Sequence, residues 1–462
     1  MADQQSLAAR KKLIQDRFDA AVSCQKSGKL ADAVEHYREV VRLAPDFGIA
    51  WGNLGVALRA LGKAEESLRC LKHAVANKPD DPGMWSNLGN AQRAVGNLAA
   101  AADAHNRAIE LDRTRGQSHY NCALTLRDLG DFDAAENSFD LALEHRYDKP
   151  QLHWDRALGR LMAGDLAAGF ADYHYRWQLP DIPAQHPDIE EWDGDDLAGR
   201  TLLVHAEQGL GDSIQFARYL PMLRDKGGAV VFEVQPELVR LMRGNAISEG
   251  VEIIARGEKL PPVDVKIALL TLPHIFQTRR ETVPAEIPYL TSVSESGEPT
   301  PALLPENCQR ATVGVCWAGR PIHKNDHNRS LDLGLLAPLL AFTDLRFVSL
   351  QKGERAHDIS THGMQAQLFD CDGLIGDFAD TARLMTEIDL VITVDTAVAH
   401  LAGAMERPVW VLVPHVADWR WMMGSNESPW YPSMRLYRQK RFGEWREVIE
   451  QVARELNTLG GG

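Results

Sequence analysis

With 462 residues and 45% hydrophobic content, the chain has material for two or three packed domains and falls outside the disordered class. Its 50 Lys plus Arg against 64 Asp plus Glu leave a formal charge of -14, which argues against the basic footprint of a nucleic-acid-binding protein. The opening "MADQQSLAARKKLIQDRF" is charged throughout, no long uncharged apolar run follows, and the six cysteines are scattered without a CxxC pair, so the expectation is a cytoplasmic protein with neither a transmembrane segment nor a disulfide scaffold.

The N-terminal third repeats itself. Glycine recurs every 34 residues at Gly28, Gly62, Gly96, Gly130 and Gly164, and five positions after each comes a small residue, Ala33, Ser67, Ala101, Ala135 or Gly169. Each unit reads as two amphipathic helices joined at the glycine, with the small residue allowing a close crossing and Trp51 and Trp85 at equivalent core positions. The pattern resembles the tetratricopeptide repeat, with clear copies from about residue 14 and a degenerate last one reaching about Trp177, which assigns 1-180 to an α-solenoid. Such arrays line a concave groove with their first helices, where recurring positions form stripes. One stripe is Asn53, Asn87 and Asn121; a second, six residues on, is Arg59, Arg93 and Arg127. A carboxamide both donates and accepts, so the asparagine ladder suits an extended polypeptide partner, and the arginines suit acidic or serine-rich segments of it. Stacking needs and ordinary solvated faces explain the same stripes equally well.

Beyond "HPDIEEWDGDDLAGR" strands alternate with helices, the pattern of parallel α/β units. The first half, 181-298, opens with "TLLVHA", the turn Gly209-Leu210-Gly211-Asp212 and a helix "SIQFARYLPMLRDKGG". It continues through "AVVFEV", the helix "PELVRLM", "VEIIA" and "VKIALL", and closes with "AEIPYL". A Ser, Glu, Pro and Thr-rich linker, "SVSESGEPTPALLPENCQR", leads to the second half, 299-462, whose strands are "ATVGVCWAG", "RFVSLQ", "DLVITV" and "PVWVLV". Two such halves with a hinge between them form a cleft beyond the carboxyl ends of their strands.

Two segments of the second half suit an anion. In "DLVITVDTAVAHLAGAM" a strand ends at Asp395-Thr396 and a slim helix begins at Ala397, so its free N–H groups and positive dipole end can receive a diphosphate; His400 lies one turn on. In "WAGRPIHKNDHNRSL", Lys324 and Arg329 supply charge for phosphate oxygens. His323 and His327 have no companion Cys or carboxylate cluster, and no metal is expected. In the first half Asp212, just after the glycine turn, is placed to cap the helix that follows.

The series "GLGDSIQFARYLPML", "HKNDHNRS" and "VDTAVAHLAGAM" resembles glycosyltransferase family nine, the heptosyltransferases, whose GT-B fold sets two Rossmann-like lobes across a cleft. The repeats in front are similar in arrangement to O-linked N-acetylglucosamine transferases and flagellin-modifying transferases. The resemblance implies an inverting, metal-independent enzyme. In it Asp212 is the base, with His205 at the end of the preceding strand as its rival, and Gly209 and Gly211 open space for a sugar and a hydroxyl; Lys324 neutralises the donor diphosphate, and Asp395, Thr396 and His400 form the donor motif, with Ala397 where the family has glycine. Gln351, Lys352 and the turn 377-380 fall where such folds hold base and ribose. The expected substrate is a nucleotide sugar, UDP-type first, with no cofactor, and the expected partner is a polypeptide acceptor, flagellin among the first to try. A polysaccharide or lipid-linked glycan transferase and a non-catalytic scaffold are the rival readings, and the sequence leaves a homo-oligomer open.

Overall fold

The computed structural model describes residues 2-293, 302-305, 310-323 and 325-459, so most of the expected linker and Lys324 lie outside the described residues. The chain divides into two compact units, Met1–Gly159 and Arg160–Gly462.

The first unit is a run of antiparallel helix pairs: α1 (Ala2–Lys26) with α2 (Leu30–Leu43), α3 (Gly48–Ala60) with α4 (Ala64–Asn77), α5 (Pro82–Ala94) with α6 (Leu98–Leu111), and α7 (Gly116–Leu129) with α8 (Phe132–Glu144). The period-34 glycines end the first helix of each pair at φ of 77° for Gly28, 76° for Gly62, 77° for Gly96 and 82° for Gly130, left-handed values that cost a glycine little. The small residues five positions on, Ala33, Ser67, Ala101 and Ala135, are all buried where the helices cross. Trp51 and Trp85 are half-buried and pack against the cores of their repeats, and each indole N–H donates to a carbonyl six residues back, Pro45 O at 2.8 Å and Pro79 O at 2.7 Å.

The solenoid expectation for 1-180 meets a different boundary. The pair α9 (Pro150–Ala163) and α10 (Leu166–Asp172) forms, but from Arg160 onward the chain belongs to the second unit. The physical reason is aromatic: Phe170 and Tyr173 pack edge-on against Trp419, and buried Arg176 forks onto Glu207 at 3.0 Å.

The second unit holds two all-parallel sheets. In the first, β1 (Glu190–Glu191), β2 (Thr201–His205), β3 (Ala229–Val234), β4 (Val251–Ala255) and β5 (Val265–Ala268) run in the order β1-β5-β2-β3-β4. Helix α11 (Leu210–Phe216) follows β2, α12 (Pro236–Arg243) follows β3, and the short α13 (Leu272–Ile275) follows β5. The long helix expected after the glycine turn stops at Phe216 and continues as 3-10 turns, because Pro221 has no N–H to give. "AEIPYL" is not a strand: Pro288 interrupts any ladder, and Tyr289 and Leu290 instead donate to Ala404 O in the other lobe at 3.0 and 3.2 Å.

The second sheet has β6 (Thr312–Cys316), β7 (Arg346–Ser349), β8 (Leu368–Asp370), β9 (Leu390–Val394), β10 (Val409–Val413) and β11 (Met434–Arg438), in the order β11-β10-β9-β6-β7-β8. The helices α14 (Asp326–Arg329), α15 (Ala337–Leu340), α16 (Asp358–Thr361), α17 (Phe378–Met385), α18 (Ala397–Ala404) and α19 (Trp445–Leu459) flank it. Central strands β6, β9 and β10 are buried along their whole length, as a sheet covered on both faces requires. Among the described residues, no helix is long and apolar enough to cross a membrane.

The lobes are bonded together rather than parted by an open hinge. Arg218, buried between them, donates to Pro284 O at 3.0 Å and to Trp430 O at 2.8 Å, and its guanidinium lies 4.7 Å from the Tyr431 ring centre. Arg240 of α12 grips Asp377 at 2.7 Å and Asp380 at 2.5 Å, the two residues that cap α17.

Candidate active site at the lobe seam

The carboxyl end of β9 delivers Asp395 and Thr396 to the start of α18. Thr396 makes no side-chain cap bond, and its hydroxyl meets Thr393 Oγ1 at 3.1 Å, so no side-chain cap competes for the first N–H groups of the helix. Burial, and then the charge of Asp418, push the Asp395 carboxyl up to about 6, with Arg329 and Arg420 acting in the opposite direction.

The other lobe supplies α11. Gly209 caps it in an extended conformation, and Asp212, third in the helix, accepts the Gly209 N–H at 2.7 Å. Asp212 therefore does cap its helix. Its second oxygen accepts from Arg420 Nη2, and the side chain remains 15% exposed, so capping leaves the carboxylate reachable. Gly211 does not open room for a sugar. A β-carbon on it would stand 2.7 Å from His400 Cδ2 and 3.4 Å from Ala397 Cα, so the glycine is there to let α11 and α18 touch.

Arg420 was not singled out in the sequence, although "DWRW" begins five residues after the end of the last central strand. The guanidinium is buried, lies 4.3 Å from the Trp419 ring centre, and donates to Asp418 at 2.7 Å, to Gln215 Oε1 at 3.0 Å and to Asp212. Burial opposes its charge, but Asp212 and Asp418 more than restore it, so Arg420 is a permanent cation.

Several expected site residues serve other ends. His400 does not aim at an anion: its ring stacks on Trp421 with centres 5.2 Å apart, its Nδ1 meets Tyr431 OH at 3.1 Å, and burial followed by Arg420 and Arg218 holds it neutral. His205 closes β2 among Trp177 and His186, with Nδ1 unpartnered. Burial, then neighbouring cations, push it down to about 3, too weak a base for work near neutral pH. Gln351 is buried and spent on the loop after β6, where its Oε1 accepts from Trp317 N at 3.2 Å and Ala318 N at 2.9 Å. Lys352 is tied to Asp372, at 2.8 Å from its carbonyl and 3.1 Å from its carboxylate. Asp377 and Asp380 are occupied by Arg240. Arg329 stays with the site: its charge acts on Asp395, and its Nε, buried and without a hydrogen bond, has only Asp326 Oδ1 at ion-pair distance, 3.6 Å.

In the first unit the two stripes dissolve into unequal members. Asn121 is buried and donates to Ser86 Oγ at 2.8 Å, so it is committed internally, whereas Asn53 and Asn87 remain half-exposed. Arg127 is buried between Asp128 at 3.0 Å and Asp155 at 3.2 Å, and Arg93 reaches the same Asp128 at 2.5 Å. Arg59 makes no hydrogen bond or ion pair among the described residues, and burial, then Arg93, lower its pKa.

Comparison with known families agrees with this architecture. Residues 25-89 and 118-152 match tetratricopeptide repeat families, and residues 352-412 match glycosyltransferase family 9 (heptosyltransferase). The chain thus joins helical repeats similar to tetratricopeptide repeats to an α/β domain that carries a segment similar to glycosyltransferase family 9. It is similar to protein FlbA of Caulobacter vibrioides, 26% identical over 322 residues, 65% of this chain and 54% of that protein. It therefore spans about half the length of this curated relative. Among solved structures, it resembles the thermophilic TPR protein TTC0263 of Thermus thermophilus (22% identity, 36% of this chain and 92% of that one, TM-score 0.33). It also resembles YrrB, described as a TPR protein with an unusual peptide-binding site (14% identity, 37% and 93%, TM-score 0.30).

Proposed function

We propose that the protein is an inverting glycosyltransferase that takes a sugar from a nucleotide-sugar donor to a hydroxyl of a polypeptide acceptor held by the repeats, without a resident metal, in the cytoplasm. The observation that carries this reading is an excess of buried donors at the lobe seam. Arg329 Nε, Trp421 Nε1 and Gln215 Nε2 make no hydrogen bond, Arg329 Nε having only an ion pair to Asp326 at 3.6 Å; Arg329 and Trp421 act on Asp395 at the start of α18, which no side chain caps, and Gln215 meets Arg420 from α11. Trp421 is near enough to Asp395 to favour its charged form, yet its indole N–H finds no acceptor at hydrogen-bond geometry. Unsatisfied buried donors are costly, and an acceptor-rich diphosphate would satisfy them. The helix terminus adds about 0.3 to 1 kcal/mol per charge.

The step balances simply. The acceptor oxygen attacks the anomeric carbon, the bond to the diphosphate oxygen breaks, and the nucleoside diphosphate leaves with the electron pair. Asp212 takes the hydroxyl proton, for which it has lone pairs free beyond its two bonds. In this reading Lys324, five residues before Arg329 in the sequence, serves the diphosphate as well.

A thermal-shift screen against UDP, ADP, GDP, CMP and their sugars tests the donor site, because a ligand of the native state raises its melting temperature. No shift with any of them would sink it. The role of the repeats is tested by removing residues 1-159, the first compact unit. Transfer to protein should disappear while slow donor hydrolysis survives.

A further inference from the structure

Arg420 belongs to the lobe that carries α18, yet two of its three acceptors, Asp212 and Gln215, are on α11 of the other lobe. Among the described residues the Asp212 carboxylate has two donors, the Gly209 N–H and this guanidinium. A planar guanidinium fixed at three acceptors and lying over Trp419 has no freedom to swing, so it sets the orientation of the carboxylate it touches. The next residue, Trp421, stacks on His400 of α18. One tripeptide, Trp419-Arg420-Trp421, therefore touches both the carboxylate of one lobe and the helix of the other.

We propose that Arg420 is a positioning residue for glycosyl transfer, holding Asp212 toward the incoming hydroxyl from the lobe that binds the donor. The proposal rests on Asp212 being the base. Its consequence is that the base is oriented only when the two lobes are seated together, which ties proton abstraction to an assembled donor site.

The test uses the full chain and follows nucleotide release from UDP-glucose, UDP-N-acetylglucosamine, ADP-glucose and GDP-mannose with water as acceptor. The donor that the wild type turns over fastest is then used for R420M, R420K, D212N and the double variant R420M/D212N. In R420M, kcat should fall about 100-fold, within the range for general-base assistance, while the donor KM stays within about threefold. R420K should recover at least about tenfold of that loss, and the double variant should be no slower than D212N, because both changes disable one unit. A raised KM with unchanged kcat would show that Arg420 grips the donor directly, and multiplicative losses in the double variant would show independent action; either overturns the proposal. If R420M does not fold, R420Q is read by the same two criteria. Wild-type kcat in D212N, or no turnover of any donor by the wild type, removes the base assignment beneath the proposal and the proposal with it. Impaired D212N beside an unaffected R420M removes the proposal alone.

Discussion

Gly211 of α11 lies directly against His400 of α18, so near that a β-carbon would stand 2.7 Å from the imidazole Cδ2. The ring cannot retreat, because Trp421 stacks on one side and Tyr431 holds its Nδ1. Gly211→Ala should therefore cost about 1 to 3 kcal/mol, the usual range for an overfilled contact. Gly209→Ala is the control, since its β-carbon would approach only Asp212 Oδ2, at 3.1 Å. Denaturant unfolding of both variants checks this, and an unchanged midpoint in G211A would mean that the lobes part easily at this seam.

Arg127 and Arg59 occupy the same repeat position and should behave in opposite ways. Arg127→Met leaves half-buried Asp155 without its cation and buried Asp128 with Arg93 alone, so the cost should fall near the low end of the about 3 to 5 kcal/mol typical of a broken buried pair. Arg59→Ala breaks no bond and should stay within about 0.5 kcal/mol of wild type. Thermal melts separate the two. If the repeats hold an acidic polypeptide, R59A should weaken its capture with stability intact.

His105 occupies the repeat position held by Leu71 and Phe139, and its ring presses on Gly89 as Leu71 presses on Gly55. Both ring nitrogens are buried without partners, so His105→Leu should stabilise by about 1 kcal/mol at pH 7. Burial, with a contribution from Arg93, pushes the folded-state pKa down to about 3, while the unfolded chain titrates near 6.5. Above that value neither state binds the proton. As pH falls toward 3 only the unfolded state does, so wild-type stability declines by about 1.4 kcal/mol per unit. By pH 5 the advantage of H105L should have grown by about 2 kcal/mol. Urea titrations at pH 7 and 5 give both numbers, and a constant gap would mean that the folded ring takes up its proton as readily as the unfolded chain.

Gln351→Ala removes the acceptor for Trp317 N and Ala318 N at the end of β6. Leaving buried N–H groups unpaired costs about 1 to 3 kcal/mol. Stability and donor turnover should fall together, whereas a residue that touched the nucleotide would lose donor affinity with little change in the melt.

Much of the architecture was legible because it is local. The period-34 glycines sit where the chain must turn with positive φ, and the small residues sit where two helices cross; both demands are met within one repeat. Apolar runs such as "DLVITV" and "PVWVLV" read as buried parallel strands because each needs cover on both faces. That "AEIPYL" would close the first half by bonding to the other lobe was not legible, because its acceptor, Ala404 O, lies in a part of the chain that no local pattern announces.

The site divides along the same line. The sequence by itself determined the repeat array, the two α/β halves, the helix start after Asp395-Thr396 and the carboxylate at Asp212, because period, strand pattern and helix capping act between near neighbours. Only the tertiary structure decided that Arg420, 208 residues from Asp212, is its ion-pair partner, that His400 packs against Gly211, and that Gln351 and Arg127 are spent on internal bonds. A guanidinium or an imidazole offers the same donors in any sequence, and only the contacts made on burial decide which acceptor each one meets.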